Sequence, residues 1–137
     1  MKIKYLVFIL FFFVTIACEK QKITKQTNIL CSEKWKIDSL YLKTDVNNDG
    51  NFTKPIKINL SECRKKTFYT FYKDSTYLIE DNCRDSTYIH KWCFLNKKKE
   101  IDLNHTNYYI EELNNYNLII SNTYELEKFI WYYSAIK

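Results

Sequence analysis

Four oxygen-bearing side chains, Asp45, Asn47, Asp49 and Asn51, stand at alternate positions around Gly50, the sole glycine of the chain. Oxygens at alternate positions with glycine at the sharp bend are what a calcium loop presents. Such a loop needs a bidentate Glu at its twelfth position, and Ile56 stands there. Asp and Asn are also ordinary turn residues, so the segment reads as a calcium site or as a plain turn; no other cofactor is expected. His90 lies mid-strand beside Lys91 and Trp92, and His105 lies near a turn. Neither has an acidic or nucleophilic neighbour along the sequence with which to work as a general base. Glu80, Asp81 and Asp85 gather at a strand end, where acids are commonly just solvated. A single glycine excludes the P-loop, the dinucleotide-binding turn and the nucleophile elbow, each of which needs more than one. The expectation is a protein that is not an enzyme.

The next chemically distinctive residue is Cys18. The chain opens Met1-Lys2-Ile3-Lys4, and an apolar run of about 13 residues follows, ending at Ala17. That run is too short to span a membrane, which takes roughly 20. A charged start, a short apolar middle and a small residue before the cut are the marks of a secretory signal. The run closes in Thr15-Ile16-Ala17-Cys18, which resembles the bacterial lipobox. That resemblance implies cleavage before Cys18, a diacylglyceryl group on its sulfur and usually a further amide-linked acyl chain such as palmitate. Two or more acyl chains anchor stably, whereas one does so only marginally. Residues 1–17 are therefore expected as signal peptide and residues 18–30 as the lipidated cysteine and a polar tether. A flexible stretch of about 10 residues spans roughly 17 Å, which holds the folded part near the membrane. Glu19-Lys20-Gln21-Lys22 is not a strongly acidic sorting tag, which favours the outer membrane and leaves its face open.

Cys31, Cys63, Cys83 and Cys93 remain, an even number in an oxidising compartment. Cys83 and Cys93 bracket one expected strand and would lie roughly 30 Å apart if it is extended; a disulfide needs Cα atoms within about 7 Å. Cys63 and Cys83 are nearly equidistant from a turn near Asp74, which brings them side by side. The expected bridges are thus Cys63–Cys83 and, by elimination, Cys31–Cys93. Zinc is not expected, because no close Cys pair exists and the two histidines are not spaced to complete a site.

The elements that must position these residues are strands. After residue 18 the apolar pattern has period two, and tyrosines and phenylalanines alternate with polar residues. Strands are expected near 34–42, 67–72, 76–80, 87–95, 100–103, 107–113, 116–121 and 127–135. The intervening turns are short and rich in Asn and Asp, so neighbouring strands must be antiparallel. The fold class is all-β: an antiparallel up-and-down meander of about eight strands. Such a sheet hides its edges by curling strongly or closing into a barrel. One domain, residues 31–137, is expected. Removing residues 1–17 leaves 19 basic and 16 acidic side chains, a charge of about +3. Arg64-Lys65-Lys66 and Lys97-Lys98-Lys99 are short clusters beside strands, not the continuous basic stripe that nucleic acid requires; nucleic acid is not an expected partner.

Several pieces in order resemble the lipocalin-like domains found in many bacterial lipoproteins: Lys34-Trp35-Lys36-Ile37, the acidic loop 45–51, Cys63 ahead of Phe68-Tyr69-Thr70-Phe71, Lys73-Asp74-Ser75-Thr76-Tyr77, Cys83, Trp92-Cys93-Phe94-Leu95, Tyr109-Ile110-Glu111-Glu112-Leu113 and Leu118-Ile119-Ile120. The resemblance implies a lipocalin-like barrel, mostly without assigned activity in that family. Trp35, Phe71, Trp92 and Trp131 are candidates to line a cavity for a small apolar ligand; in so short a barrel they can equally fill it. The expected role is a non-catalytic binding or structural module of the envelope, docked to the membrane by its lipid, with a small apolar ligand or an envelope protein as further partner. Asp74-Ser75-Thr76 and Asp85-Ser86-Thr87 resemble a short O-glycosylation motif, with Ser75 and Ser86 as acceptors.

Overall fold

A computed structural model describes residues 24–137. The expected signal peptide and the expected lipidation of Cys18 fall outside the described residues. Helix α1, Lys25–Ser32, is followed by strand β1, Lys34–Thr44. A long connection then carries a short strand β2, Ile56–Ile58, and a one-turn helix α2, Glu62–Lys65. The rest is strand after strand: β3 Thr67–Phe71, β4 Thr76–Asp81, β5 Ser86–Leu95, β6 Glu100–Leu103, β7 Thr106–Leu113, β8 Asn117–Tyr124 and β9 Glu127–Ile136. All pairings are antiparallel, and consecutive strands from β3 to β9 are neighbours. The expected meander is there, with every expected strand in place.

β1 closes the sheet. Along one edge it pairs with β9 from Lys34↔Ile136 to Thr44↔Glu127. Along the other it pairs with β3 at Lys34–Lys36 and with β2 at Leu40–Leu42. The eight strands β1 and β3 to β9 thus form a closed barrel. Closure removes the two open edges that a flat meander would leave exposed to other chains. Register shifts at Asp38 in β1 and Glu111 in β7 mark β-bulges. Bulges raise local twist and bend a strand, as a small barrel requires.

The turns use left-handed residues. Asn48, Ser75, Asp85, Asn96, Asn104, His105 and Glu125 all have positive φ. Asn and Asp tolerate that region better than most residues, which is how a chain with one glycine makes so many hairpins. The Asp-Ser-Thr segments serve these turns. Asp74 Oδ1 accepts from the Thr76 N–H and hydroxyl at 3.0 and 2.6 Å, and the Ser86 hydroxyl donates to Arg84 O.

One barrel end is sealed. Inward residues of alternating strands, Trp35, Ile37, Phe71, Tyr77, Trp92, Ile101, Leu118 and Ile120, form one buried cluster with Leu30 of α1. Phe71 stacks on Tyr77 at 5.3 Å and meets Trp92 edge-on at 5.7 Å, and Trp92 meets Phe94 edge-on at 5.3 Å, the arrangements that ring quadrupoles favour. Leu30 and Trp35 are both 0 % exposed, and Trp35 Nε1 donates to Leu30 O at 2.9 Å. The Thr24 side chain accepts from the Thr27 N–H and caps α1.

This corrects the expected boundary at residue 31. Residues 25–30 are not tether: they form the helix that stops the barrel end. Sequence periodicity missed α1 because only Thr27 and Leu30 of its eight residues are buried, too few to set a helical stripe. β2 and α2 were also missed, because both lie on the outside with little buried surface.

If α1 is part of the fold, Leu30→Ala must leave a hole under the aromatic layer. It is expected to lower stability by about 2–5 kcal/mol, read from a urea midpoint; a tether residue would leave the midpoint unchanged.

Candidate functional site

The connection from β1 to β3 and the turn from β4 to β5 meet at the barrel end opposite α1. A disulfide, Cys63–Cys83, joins them with a Cα separation of 5.3 Å, as the equidistance from the Asp74 turn predicts. It ties α2 to the rim. The second expected bridge does not form, since Cys31 is a free thiol. Cys31 packs from α1 onto the inner core, and burial pushes its thiol pKa up to about 11. Cys93 follows inward Trp92 on β5 and so faces the other side of the strand. Elimination failed because it treated the four cysteines as one closed set and could not see which face each occupied.

Towards this rim the inner wall is less deeply buried. On its inner wall, Tyr69, Ile79, Tyr108, Ile110 and Trp131 are only partly buried, and Tyr88 is 41 % exposed. Tyr69 meets Tyr133 edge-on at 5.4 Å. His90 sits among aromatic rings, 5.5 Å from Tyr77 and 6.5 Å from Tyr88. Arg64 of α2 reaches over this wall, its guanidinium 5.4 Å from the Trp131 ring centroid, a cation–π geometry.

Polar groups in this half lack partners. Trp131 Nε1 and Asn122 Oδ1 are buried without a hydrogen bond among the described residues. Trp131 pairs with Ile120 and Phe129 with Asn122 across β8 and β9, so both groups share one stretch of inner wall. Tyr133 is only 9 % exposed. Burial drives the Tyr133 phenol well above its ordinary pKa, with Tyr69, Tyr108 and Tyr77 adding to the rise and Arg64 opposing it. Burial likewise raises Tyr69 and Tyr108, again opposed by Arg64, and pushes Tyr77 up to about 12. These phenols therefore stay neutral at and below the ordinary tyrosine pKa of about 10.

Of the four cavity candidates, Trp35, Phe71 and Trp92 do not line it. They are 0 %, 2 % and 1 % exposed in the sealed half, because the rings fill a narrow barrel bottom. The Trp92 N–H is bonded to Tyr72 O at 3.1 Å. Trp131 is only partly buried, nearer the rim. Arg64, Tyr69 and Tyr108 were not singled out from sequence. The equal alternation of aromatics along every strand marks the inner face but not the depth at which each ring sits.

The Asp45–Asn51 loop sits at the same end, as a turn. Asp45 is buried, and its two carboxylate oxygens accept the Asp49 and Gly50 N–H groups at 3.1 and 2.8 Å. The Asn51 N–H donates to Asp49 Oδ1 at 2.8 Å and, as the largest cause, holds that exposed carboxyl below its usual pKa. The loop spends its carboxylates on its own backbone rather than on a shared centre. No group of three or more His, Cys, Asp or Glu placed to hold a metal occurs among the described residues. Neither imidazole hydrogen-bonds an acid or a hydroxyl among those residues.

On the outer wall, Lys34 pairs with Glu80 at 2.6 Å and lies over Phe68, while Glu111 receives Ser121 and Lys128 at 2.8 Å each. Such exposed pairs contribute up to about 1 kcal/mol and show no convergence on a common point. Compared with known proteins, the chain matches no family model, no curated protein and no solved structure.

Two outcomes follow. Asp45→Ala removes the acceptor of two loop N–H groups and is expected to cost about 1–3 kcal/mol, equally with and without added calcium; a loss seen only with calcium would restore the metal reading. The buried phenols bind protons more tightly folded than unfolded. Their contribution is complete below the ordinary tyrosine pKa of about 10 and is lost as pH rises towards the folded values. Absorbance of tyrosinate against pH should show these residues ionising together with unfolding above about pH 10; a non-cooperative titration at ordinary values would show the interior wet throughout.

Proposed function

We propose that the chain is a lipid-anchored, non-catalytic binding module of the bacterial cell envelope, built on a lipocalin-like barrel. The anchor reading rests on Thr15-Ile16-Ala17-Cys18 after a short apolar run. The binding reading rests on one observation: the barrel is plugged at one end by α1 and Trp35, while towards the other its inner wall is only partly buried and carries two buried polar atoms with no partner among the described residues. A structural peg would profit from filling both ends. This favours a carrier for a small ligand over a module that docks only through its outer surface. Thr24 is six residue steps from Cys18, at most about 21 Å of extended chain. The plugged end then stays near the bilayer and the open end faces away from it, so a ligand arrives from the aqueous side. The outer membrane is the proposed location.

In a double-membrane bacterium fed an alkyne-tagged palmitate, the native chain is expected to take up label and to sediment with membranes, and Cys18→Ala is expected to do neither. A soluble, unlabelled native chain would end the anchor reading. Native mass spectrometry of the purified lipoprotein should show a small-molecule adduct; a bare mass would move the function to the outer surface and an envelope partner.

A further inference from the structure

We propose that two copies of the chain pair edge to edge through residues 86–90 of β5, antiparallel and related by a two-fold axis at Tyr88. This goes beyond the binding reading and does not depend on a ligand.

The barrel wall is uneven along β5. β4 pairs with residues 86–91 of β5, but β6 pairs only with residues 92–95. β6 stops there because Asn104 and His105, both at positive φ, turn the chain back into β7. The Asn104 N–H makes the last bond, to Lys91 O at 3.0 Å. Residues 86–90 therefore have a ladder partner on one edge and none on the other among the described residues. Thr87, Tyr88 and Ile89 are exposed, Ile89 at 71 %. An uncovered edge is a template for another strand. β2 also has an outer edge. It is three residues long, follows Pro55 and carries Lys57, all of which discourage pairing. Residues 86–90 hold no Lys and no Pro, and Thr, Tyr and Ile suit a strand.

The stretch is its own complement. Residues 86–90 pair completely with a second copy only when Tyr88 stands at the axis. Ser86 then opposes His90, Thr87 opposes Ile89, and Tyr88 opposes its own counterpart. Such β-branched and aromatic pairs stabilise a sheet. The same register sets Asp85 of each copy opposite Lys91 of the other. Neither is in an ion pair among the described residues, whereas the neighbouring Arg84 is already paired with Asp81 at 3.7 Å. Opposite charges across a ladder are favourable and like charges are not. The length of the free stretch and the charges that flank it thus select the same register independently. Self-complementarity of this kind is what an isologous dimer needs, and a different partner would not require it. The axis turns one barrel end for end, so the two α1 ends lie outermost.

The test is sedimentation equilibrium of the native chain, purified in detergent with micelles in large excess over chains. A monomer–dimer equilibrium is expected. Asp85→Lys and Lys91→Asp each set like charges across both ends of the ladder and are expected to weaken the dimer about tenfold or more. An equimolar mixture of the two variants restores both ion pairs between unlike copies. It is expected to return the dimer to near native strength, which also shows that both variants fold. In Tyr88→Cys an oxidant should link the two copies through residue 88, and in Ile89→Cys it should not. A monomer at every concentration, or a dimer that both charge reversals leave unchanged, would overturn the proposal. So would a mixture that dimerises no better than its components.

Discussion

The structure depends on β1 being held on both edges. Its full-length pairing with β9, and its shorter pairings with β3 and β2, turn a meander into a closed barrel. Without that closure, β3 and β9 would each present a row of unpaired backbone groups, and the inner aromatics would have no opposite wall. β1 can serve both neighbours because of its bulge at Asp38. The extra residue adds the twist that lets Trp35 and Leu40 both work on the inner face although an odd number of steps separates them.

Closure also gives the barrel two unlike ends. At one, α1 is drawn under the sheet by burial of Leu30 and fixed by the hydrogen bond from the Trp35 indole to Leu30 O. That single bond satisfies a buried donor and orients the helix that shuts the barrel. At the other end no helix enters among the described residues. α2 is held at the rim by a disulfide instead of being packed into the core. A covalent tie fixes position without needing buried apolar area, and it keeps Arg64 over the Trp131 ring.

The contrast between the two halves is electrostatic as well as steric. In the sealed half, the N–H groups of Trp35 and Trp92 have partners. In the open half, the Trp131 N–H has none, and neutral phenols crowd beside one guanidinium.

Much of this was legible in the residues alone. Period-two patterning and short Asn/Asp turns determine an antiparallel meander, because a pleated strand alternates faces and a two- or three-residue turn can only reverse the chain. The Cys63–Cys83 bridge follows from hairpin arithmetic, since both partners are local to one turn. The tertiary structure decided what depends on depth and distance. Leu30 is a plug rather than tether because of a wall that arrives from β3 and β7. Cys31 packs onto the core from α1, whereas Cys93 follows inward Trp92 on β5 and takes the other face of that strand. Trp35 and Trp92 fill the barrel while Trp131 lines its opening, although all three stand on inward positions. Alternation encodes which face a side chain takes; where the barrel narrows, and which end is closed, emerges only when every strand is in register.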